Sequence, residues 1–412
     1  MNRREFIKAG LALVGASALV PTVFQNALVT LQQQAVRGGP ADDGRVLVLV
    51  QLAGGNDGLN TVIPFTDTRY YESRPDLSLA QGSVLPLNST TGFHPAMGKL
   101  KELWDQGVIA IVEGVGYNNQ NFSHFASMDI WQTADPSLKL ADGWLGRYYA
   151  KHKDDLEVPF LGLAVGSTLP TSFRTPAVAV PSVNSISNYQ FKTDTQAPTL
   201  ASLRFQALQS LYEDSGSAGD YGSLLHQTLQ TAVTSIKIIQ DAHAKYKTSV
   251  QYPSGGLGTA LQLIAEAVAA NVGAKVYHVS IGGFDTHANQ IEDHPRQLNL
   301  LSAALHTFYS DLKNQGLHGR VLVMTWSEFG RRVKANASQG TDHGSAAPLF
   351  FIGAPVKGGL YGQRPSLENL DNGNLRYTVD FRSVYATALE SWLGVSSQEI
   401  LGDVFELIPL LK

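Results

Sequence analysis

The chain has 412 residues, a net charge of −4 and 16% charged side chains, and it contains no cysteine. Without cysteine there can be no disulfide bond, thiolate metal site or cysteine nucleophile, so any metal must be held by His, Asp or Glu. The nearly neutral charge also argues against a nucleic acid as partner.

The N-terminal residues have the pattern of an export signal. Arg3 and Arg4 stand shortly before an apolar stretch, Ala9–Val20, that is rich in small residues. A membrane-spanning helix needs roughly twenty strongly apolar residues, so this stretch is too short for a permanent membrane anchor. Paired arginines followed by a short apolar segment are typical of a twin-arginine (Tat) signal peptide.

This pattern predicts how the N-terminal part is organised. We expect residues 1–30 to comprise the Tat signal peptide and the start of a linker, and residues 31–44 to be the linker proper. Cleavage at the small-x-small site Ala16–Ala18 and cleavage further along, before Val36, both fit the sequence. The Tat translocase is then the partner during export, and the mature protein is expected in the periplasm or outside the cell.

Apolar runs and helical patterns alternate after the linker. The runs typical of buried strands are Val46–Leu52, Val108–Val115, Val276–Ile281, Val321–Trp326 and Leu349–Ile352. The helical patterns between and after them are Ala96–Gln106, Thr259–Asn271, Pro295–Asn314 and Phe381–Leu393. Continuous apolar strands indicate a sheet that is covered on both faces. The alternation therefore predicts an α/β domain over residues 45–412, a three-layer α/β/α sandwich with a largely parallel central sheet.

The segment at about 166–256 interrupts this alternation. It begins with sequence rich in Pro, Ser and Thr and continues with two helical patterns, Thr199–Glu213 and Ser223–Lys247. We interpret it as an insertion that packs beside the sheet, where it could cap the site.

Polar clusters follow the predicted strands. They are Asn56-Asp57 after the first, Asn121 to His124 after the second, Asp285 and His287 after the third, Glu328 after the fourth, and Asp342-His343 before the fifth. Functional groups in open parallel sheets collect beyond the carboxyl ends of the strands. Carboxylates gathered there beside histidines would repel one another without a cation, and divalent metals accept such ligands.

Each cluster also has a purely structural interpretation. Asp57 lies in a glycine-rich turn, where Asp commonly forms the turn itself. His287 would serve equally as a hydrogen-bonded loop histidine, and Glu328 as the ion-pair partner of Arg331 or Arg332. The metal hypothesis depends on the combination of clusters rather than on any one of them.

Ser123 precedes a predicted helix, Phe125–Thr133, and has two possible roles. Serine in this position is commonly an N-cap. A hydroxyl at the positive end of a helix and beside a metal could instead act as a nucleophile. A serine-hydrolase triad fits poorly because no G-x-S-x-G surrounds Ser123. A dinucleotide site is not expected because G-x-G-x-x-G is absent after the first strand.

Several strings of the sequence resemble a known family. These are LAGGNDGLNTVIPF, FHPAMGKLKELW, NFSHFASMDIWQTAD, GGFDTHANQ, VLVMTWSEFGRRVKANASQGTDHG and GGLYGQRPSL. They are similar to those of a widespread family of Tat-exported bacterial proteins of unknown function that is grouped with the alkaline phosphatase and sulfatase superfamily. The resemblance extends from about Val46 to Leu393 and implies an alkaline phosphatase-like fold.

The resemblance also implies a site that uses one or two divalent ions: zinc, calcium, magnesium or manganese. Ser123 resembles the nucleophile and Asp57 the first aspartate ligand, while Asp285 and His287 resemble an Asp/His pair with a shorter spacing than usual. Two alignments compete for the remaining ligands. One uses Asp342 with His343, and the other, which strand order favours, uses Glu328 with His343 as the final histidine. The residues assigned to substrate binding are Asn56, Asn60, His94, His124 and Arg331.

The expected function is metal-dependent hydrolysis of phosphate or sulfate esters, including glycan-linked ones, with Ser123 as nucleophile. The C/S-x-P-x-R signal for formylglycine formation is absent, which favours phosphate over sulfate. The alternative is a catalytically reduced, exported protein that serves in binding or envelope assembly. A shortage of metal-binding histidines supports that alternative.

Overall fold

The computed structural model describes residues 44–153, 161–186 and 219–412, together with the single residues 189, 207 and 210. The predicted signal peptide, nearly all of the linker, and the predicted helix Thr199–Glu213 lie outside the described residues, apart from those single positions. The strands are β1 (Val46–Leu52), β2 (Val62–Ile63), β3 (Leu85–Pro86), β4 (Gly92–Phe93), β5 (Ile109–Gly116), β6 (Gly162–Val165), β7 (Ser182–Val183), β8 (Val276–Ile281), β9 (Val321–Trp326), β10 (Ala347–Ile352), β11 (Gly359–Tyr361), β12 (Leu370–Asp371), β13 (Asn374–Leu375) and β14 (Val379–Asp380). The α-helices are α1 (Thr68–Ser73), α2 (Gly98–Asp105), α3 (His124–Thr133), α4 (Trp144–His152), α5 (Gly219–Lys245), α6 (Gly256–Ala269), α7 (Gln290–Asn314), α8 (Phe381–Thr387) and α9 (Ser397–Leu401).

A central sheet of nine strands organises the fold. Its order is β11-β5-β10-β9-β1-β8-β6-β7, and β14 also pairs with β5. Within this sheet of the described residues, β10 alone runs antiparallel to its neighbours β5 and β9. The predicted α/β class with a largely parallel sheet is therefore confirmed. The carboxyl ends of β1, β5, β8 and β9 meet at one edge, where the site residues lie.

The two faces of the sheet bury separate cores. Alternate residues of a strand point to opposite faces, so Val48 and Val50 of β1 pack with α2, α5, α6 and α7. Leu47 and Leu49 pack on the other face with α3, α4, α8 and α9. These two helical layers around the sheet form the predicted three-layer sandwich. Among the described helices, none is both long and apolar enough to cross a membrane.

Several elements differ from the predicted ones. Helix α7 begins at Gln290 after a left-handed Asn289 (φ 50°), so Pro295 lies within the helix although proline is commonest at its first turn. Helix α8 ends at Thr387 and continues as a π-helical turn, Ala388–Trp392. The short strands β6 and β7 were not predicted, because runs of four and two residues carry little periodicity.

The predicted insertion at about 166–256 stays a prediction, although its described parts contact the core. Strand β7 pairs in parallel with β6 at the end of the sheet. Ile239 and Ala242 of α5 are buried in the same core as α6 and α7. These parts therefore contribute to the sheet and to one helical layer.

Candidate metal centre

Arg331 connects the loops at the carboxyl edge of the sheet. Its guanidinium is buried and donates to the carbonyl oxygens of Gly54, Gly55 (2.7 Å), Phe284 (3.0 Å) and Thr341 (2.7 Å). It also donates to Asp285 Oδ1 at 2.7 Å. The structure thus places Arg331 beneath the site, where it holds loops together, rather than facing a substrate as the sequence had suggested.

Three histidines surround Asp285 above this arginine. His124 Nε2 lies 3.4 Å from Asp285 Oδ2, while His343 Nε2 and His287 Nε2 each lie 3.2 Å from Asp285 Oδ1. The ligand atoms of His124, Asp285 and His343 all lie within 4.8 Å of one another. We call His124, Asp285, His287 and His343 the histidine cluster.

The outer nitrogen of each ring is held by an acceptor. His124 Nδ1 donates to Glu328 Oε1 at 2.8 Å, and His343 Nδ1 donates to the Phe122 carbonyl at 2.7 Å. His287 Nδ1 lies 3.3 Å from Asp342 Oδ1. A carbonyl oxygen can only accept, so His343 carries a proton on Nδ1, and the neutral form of this ring directs its Nε2 lone pair into the cluster. This arrangement of outer partners is typical of metal-binding histidines.

The inner ring nitrogens crowd around the Asp285 carboxylate. His287 Nε2 and His343 Nε2 lie 2.8 Å apart, a distance that needs a proton or a cation between the two nitrogens. His124 Nε2 is buried without a hydrogen-bond partner. Facing lone pairs beside a carboxylate repel one another unless a proton or a cation lies between them. Tetrahedral ligands with bonds of about 2.0–2.1 Å are roughly 3.3 Å apart, close to the observed distances from Asp285. The residues present therefore fit a metal ion.

The protonation states suit a cation as well. Burial alone would raise the pKa of Asp285, but the hydrogen bond and charge of Arg331 outweigh it and lower the pKa below its usual value. Burial lowers the pKa of His343. At neutral pH the cluster thus offers an ionised carboxylate and a neutral imidazole, the forms that bind metals.

Glu328 and Asp342 support the histidines. Glu328 is buried, and its Oε1 accepts from the Gly54 amide (2.9 Å) as well as from His124. Asp342 accepts from Asn336 Nδ2 at 3.2 Å, and this hydrogen bond lowers the pKa of Asp342. Both residues were predicted as metal ligands, but the structure places them on the outer side of the rings.

Ser123 is the N-cap residue of α3, as one of its two interpretations required. It is exposed, and its side chain makes no capping hydrogen bond. Its backbone amide instead donates to Asn121 Oδ1 at 2.9 Å. Ser123 stands between Phe122, whose carbonyl holds His343, and His124 of the cluster. Ser123 is therefore an exposed residue between two neighbours that contact the cluster.

Asp57 lies in a separate, buried network at the same edge of the sheet. Its Oδ2 accepts from Arg74 NH1 at 2.5 Å and from the side chain of Gln290, and its Oδ1 accepts from the Leu59 amide at 3.2 Å. Burial alone would raise the pKa of Asp57, but the charge and hydrogen bond of Arg74 lower it on balance. The negative charge of Asp57 is therefore balanced by Arg74, and Asp57 lies apart from the histidine cluster.

Three predicted substrate-binding residues belong to this buried network. Asn56 Oδ1 lies 3.1 Å from His294 Nε2, and Asn60 Oδ1 accepts from Arg74 at 3.1 Å. His94 Nδ1 accepts from the Ala96 amide, and burial lowers the pKa of His94 to about 4. All three are buried. They stabilise the loop after β1 and do not face the cluster.

The sequence did not indicate the role of His124 in the cluster. The sequence analysis assigned His124 to substrate binding, whereas the structure places this first residue of α3 in the cluster, with its ring between Glu328 and Asp285. Arg74 and the Phe122 carbonyl were also missed. A main-chain carbonyl leaves no signal in a sequence, and Arg74 lies in a polar stretch without a motif.

The fold and the histidine cluster define an α/β/α protein with a candidate cation site at the carboxyl edge of its sheet. The family model of DUF1501, described as a protein of unknown function, matches residues 108–403. The chain therefore belongs to this family, which confirms the family-level prediction from the sequence motifs. No curated protein matches the sequence.

The solved structures that resemble this chain share little sequence with it. One is a protein of the alkaline phosphatase superfamily from Vibrio parahaemolyticus, with 9% identity, a TM-score of 0.37, and 87% of this chain and 68% of that chain covered. Another is the zinc complex of the C-terminal periplasmic domain of EcEptC from Escherichia coli, with 10% identity, a TM-score of 0.33, and 75% and 72% covered. A third is the lipoteichoic acid synthase LtaP from Listeria monocytogenes, with 8% identity, a TM-score of 0.34, and 90% and 81% covered. At this distance, function has to be inferred from the chain's own side chains.

Proposed function

We propose that the protein is a metal-dependent hydrolase of phosphate or sulfate esters with Ser123 as its nucleophile. The convergence of three imidazole Nε2 atoms on Asp285, with each outer nitrogen held by an acceptor, is the observation that carries this proposal. Among the described residues, Arg331 is the only cationic side chain apart from the histidines that contacts the Asp285 carboxylate.

His124, Asp285 and His343 would hold the ion, and His287 lies close enough to join them. Imidazole ligands favour zinc or a similar transition metal over calcium and magnesium, which prefer oxygen ligands. When bound, such an ion would supply positive charge for the oxygens of the ester and lower the pKa of a nearby hydroxyl.

The protein's own groups would then perform the transfer. Ser123 Oγ would attack phosphorus or sulfur and lose its proton to solvent, while the bond to the ester oxygen breaks and the alcohol leaves with a proton from solvent. Water would next attack the same atom and break its bond to Ser123, so that one proton of the water returns to Ser123 Oγ and the inorganic anion leaves with the new hydroxyl oxygen. The amino end of α3 offers unpaired N–H groups that favour a developing negative charge.

The alternative of a catalytically reduced binding protein rested on a shortage of histidines. His124 joins His287 and His343 around Asp285, so the cluster offers three imidazoles. That shortage no longer supports the alternative.

We further propose that the mature protein is exported by the Tat translocase and acts in the periplasm or outside the cell. The support is the Arg3-Arg4 pair before the short apolar stretch. Replacing both arginines by lysine keeps the charge but removes the recognised pair, so the precursor should accumulate in the cytoplasm. Unchanged export of that variant would refute this part of the proposal.

Turnover by purified protein tests the hydrolase proposal. We expect hydrolysis of p-nitrophenyl phosphate or p-nitrophenyl sulfate that disappears with a chelator and returns with added zinc or manganese. His306→Ala is the matched control, because His306 lies on α7 outside the cluster and pairs with Glu102 of α2. Turnover that persists after the metal has been removed would contradict the proposal.

A further inference from the structure

A cleft lies beside the histidine cluster. Its volume is about 530 Å³, within the range of roughly 300–1,000 Å³ that is usual for small-molecule sites. One wall is formed by the loop from Tyr117 to Phe122, and the other by the hairpin β12–β13 and the residues that follow it. Phe122 belongs to both places, since it lines the cleft while its carbonyl accepts from His343. A molecule in this cleft would therefore touch the loop that leads to Ser123.

Aromatic rings and amides dominate the lining. Phe122 is 42% exposed and Tyr377 is 38% exposed, although large aromatic residues are usually buried. The side-chain amides that line the cleft with them are Asn118, Asn119, Gln120, Asn372 and Asn374. Its charged residues, Asp371 and Arg376, have opposite signs. The lining thus combines apolar ring faces with neutral hydrogen-bonding groups.

Two acceptors in this lining lack donors. Gln120 Oε1 and Asn374 Oδ1 are buried without a hydrogen-bond partner. The orientation of the Gln120 amide is fixed, because its Nε2 lies near the Asn121 carbonyl (3.0 Å) and Tyr117 Oη (2.9 Å). Because these two oxygens are buried, the exposed amides of Asn118, Asn119 and Asn372 are the groups that a ligand in the cleft can reach.

We propose that this cleft binds the carbohydrate part of the ester, next to the reacting group. A sugar ring has apolar C–H faces that pack on aromatic rings and hydroxyl groups that donate to amide oxygens. The opposite charges of Asp371 and Arg376 match a neutral sugar better than a strongly anionic one. The inference deepens the proposed function and rests on it for the ester, whereas sugar binding itself does not require the metal.

Binding of ester-free oligosaccharides to the full-length mature protein tests the cleft directly. Saturation-transfer NMR should show binding of a neutral sugar, cellotetraose or N-acetylchitotetraose. Tetragalacturonate serves as the anionic comparison. Tyr377→Ala should weaken it about tenfold, as expected for the loss of an aromatic anchor, and Tyr377→Phe should retain it. Phe125→Ala is the matched control, because Phe125 is 81% exposed near the same loop but does not line the cleft. Absence of sugar binding, or equal binding by Tyr377→Ala, would overturn the inference.

Kinetics separate this inference from the hydrolase proposal. Tyr377→Ala should raise KM for glucose 6-phosphate about tenfold and leave kcat, and the turnover of glycerol 3-phosphate, unchanged. Sugar binding without turnover of any ester would refute the hydrolase and support the carbohydrate cleft. Turnover of glycerol 3-phosphate without any sugar binding would refute the cleft alone.

Discussion

Two groups of acidic and histidine side chains lie at the same edge of the sheet, and they differ in how their charge is balanced. Around Asp57, Arg74 and Gln290 donate to the carboxylate, and the network is buried. Around Asp285, Arg331 donates once, while three ring nitrogens face the same carboxylate. The charge of the first group is balanced within the protein, and the second group fits a cation. The hydrogen-bond partners of each aspartate therefore distinguish the two groups better than residue type does.

Ser123→Ala should produce the largest effect. In the proposed mechanism Ser123 carries the covalent step, so its loss should lower kcat by about 10³-fold or more. Metal content and folding should persist, because the Ser123 side chain makes no capping hydrogen bond. Ser123→Thr keeps a hydroxyl and should retain partial activity. Equal kcat values for all three forms would show that Ser123 takes no part in the reaction.

Asp57→Asn should act on stability instead. Removing the carboxylate leaves the buried Arg74 guanidinium without its counter-charge, which should cost about 3–5 kcal/mol of the free energy of unfolding. Urea denaturation measures this loss, and elemental analysis of the folded fraction should find unchanged metal. A loss of metal from folded Asp57→Asn would place Asp57 at the metal site and erase the difference between the two groups.

Glu328→Gln should have an intermediate effect. The amide can still receive the Gly54 hydrogen bond, but it no longer offers a carboxylate to His124 Nδ1, so metal affinity should fall about 10–100-fold. Competition with a fluorescent chelator measures the affinity. An unchanged Kd would mean that Glu328 does not orient the ring of His124.

The pH dependence of stability should show the smallest effect, and it comes from the buried network. Burial lowers the pKa of His294 to about 4, although the nearby charge of Asp57 raises it. The unfolded chain therefore binds a proton near pH 6.5 that the folded chain does not bind. The free energy of unfolding is thus highest above that pH and declines as the pH falls towards 4. His294→Gln should make the decline shallower by about 1.4 kcal/mol per pH unit. Chemical denaturation at several pH values measures it, and an unchanged slope would mean that His294 titrates alike in both states.

Much of the fold could be predicted, because long apolar runs report buried strands directly. The bounds of β1, β8 and β9 agree with the predicted runs. The short strands β6 and β7 left no comparable pattern. The left-handed Asn289 that starts α7 was not visible either, because Pro295 offered a stronger but misleading start signal.

The candidate site could be predicted only in outline. Strand order indicated which loops meet, so Asp285, His287 and His343 were expected near one another. Arg74 balances the charge of Asp57, and no periodicity or motif in the sequence connects the two residues. The sequence therefore did not show that Asp57 lies apart from the histidine cluster. The orientation of His124 depends on Glu328 and that of His343 on a main-chain carbonyl, and both are properties of the folded chain.

Metal content after dialysis tests the central claim most directly. Elemental analysis should find about one transition-metal ion per wild-type chain, and the same in the His306→Ala control. His343→Ala should lose that ion while its circular dichroism spectrum stays native, because the cluster loses an imidazole ligand but the sheet beneath keeps its packing. A full metal complement in His343→Ala, or no uptake of zinc or manganese by the wild-type protein, would contradict the assignment of the histidine cluster as the metal centre.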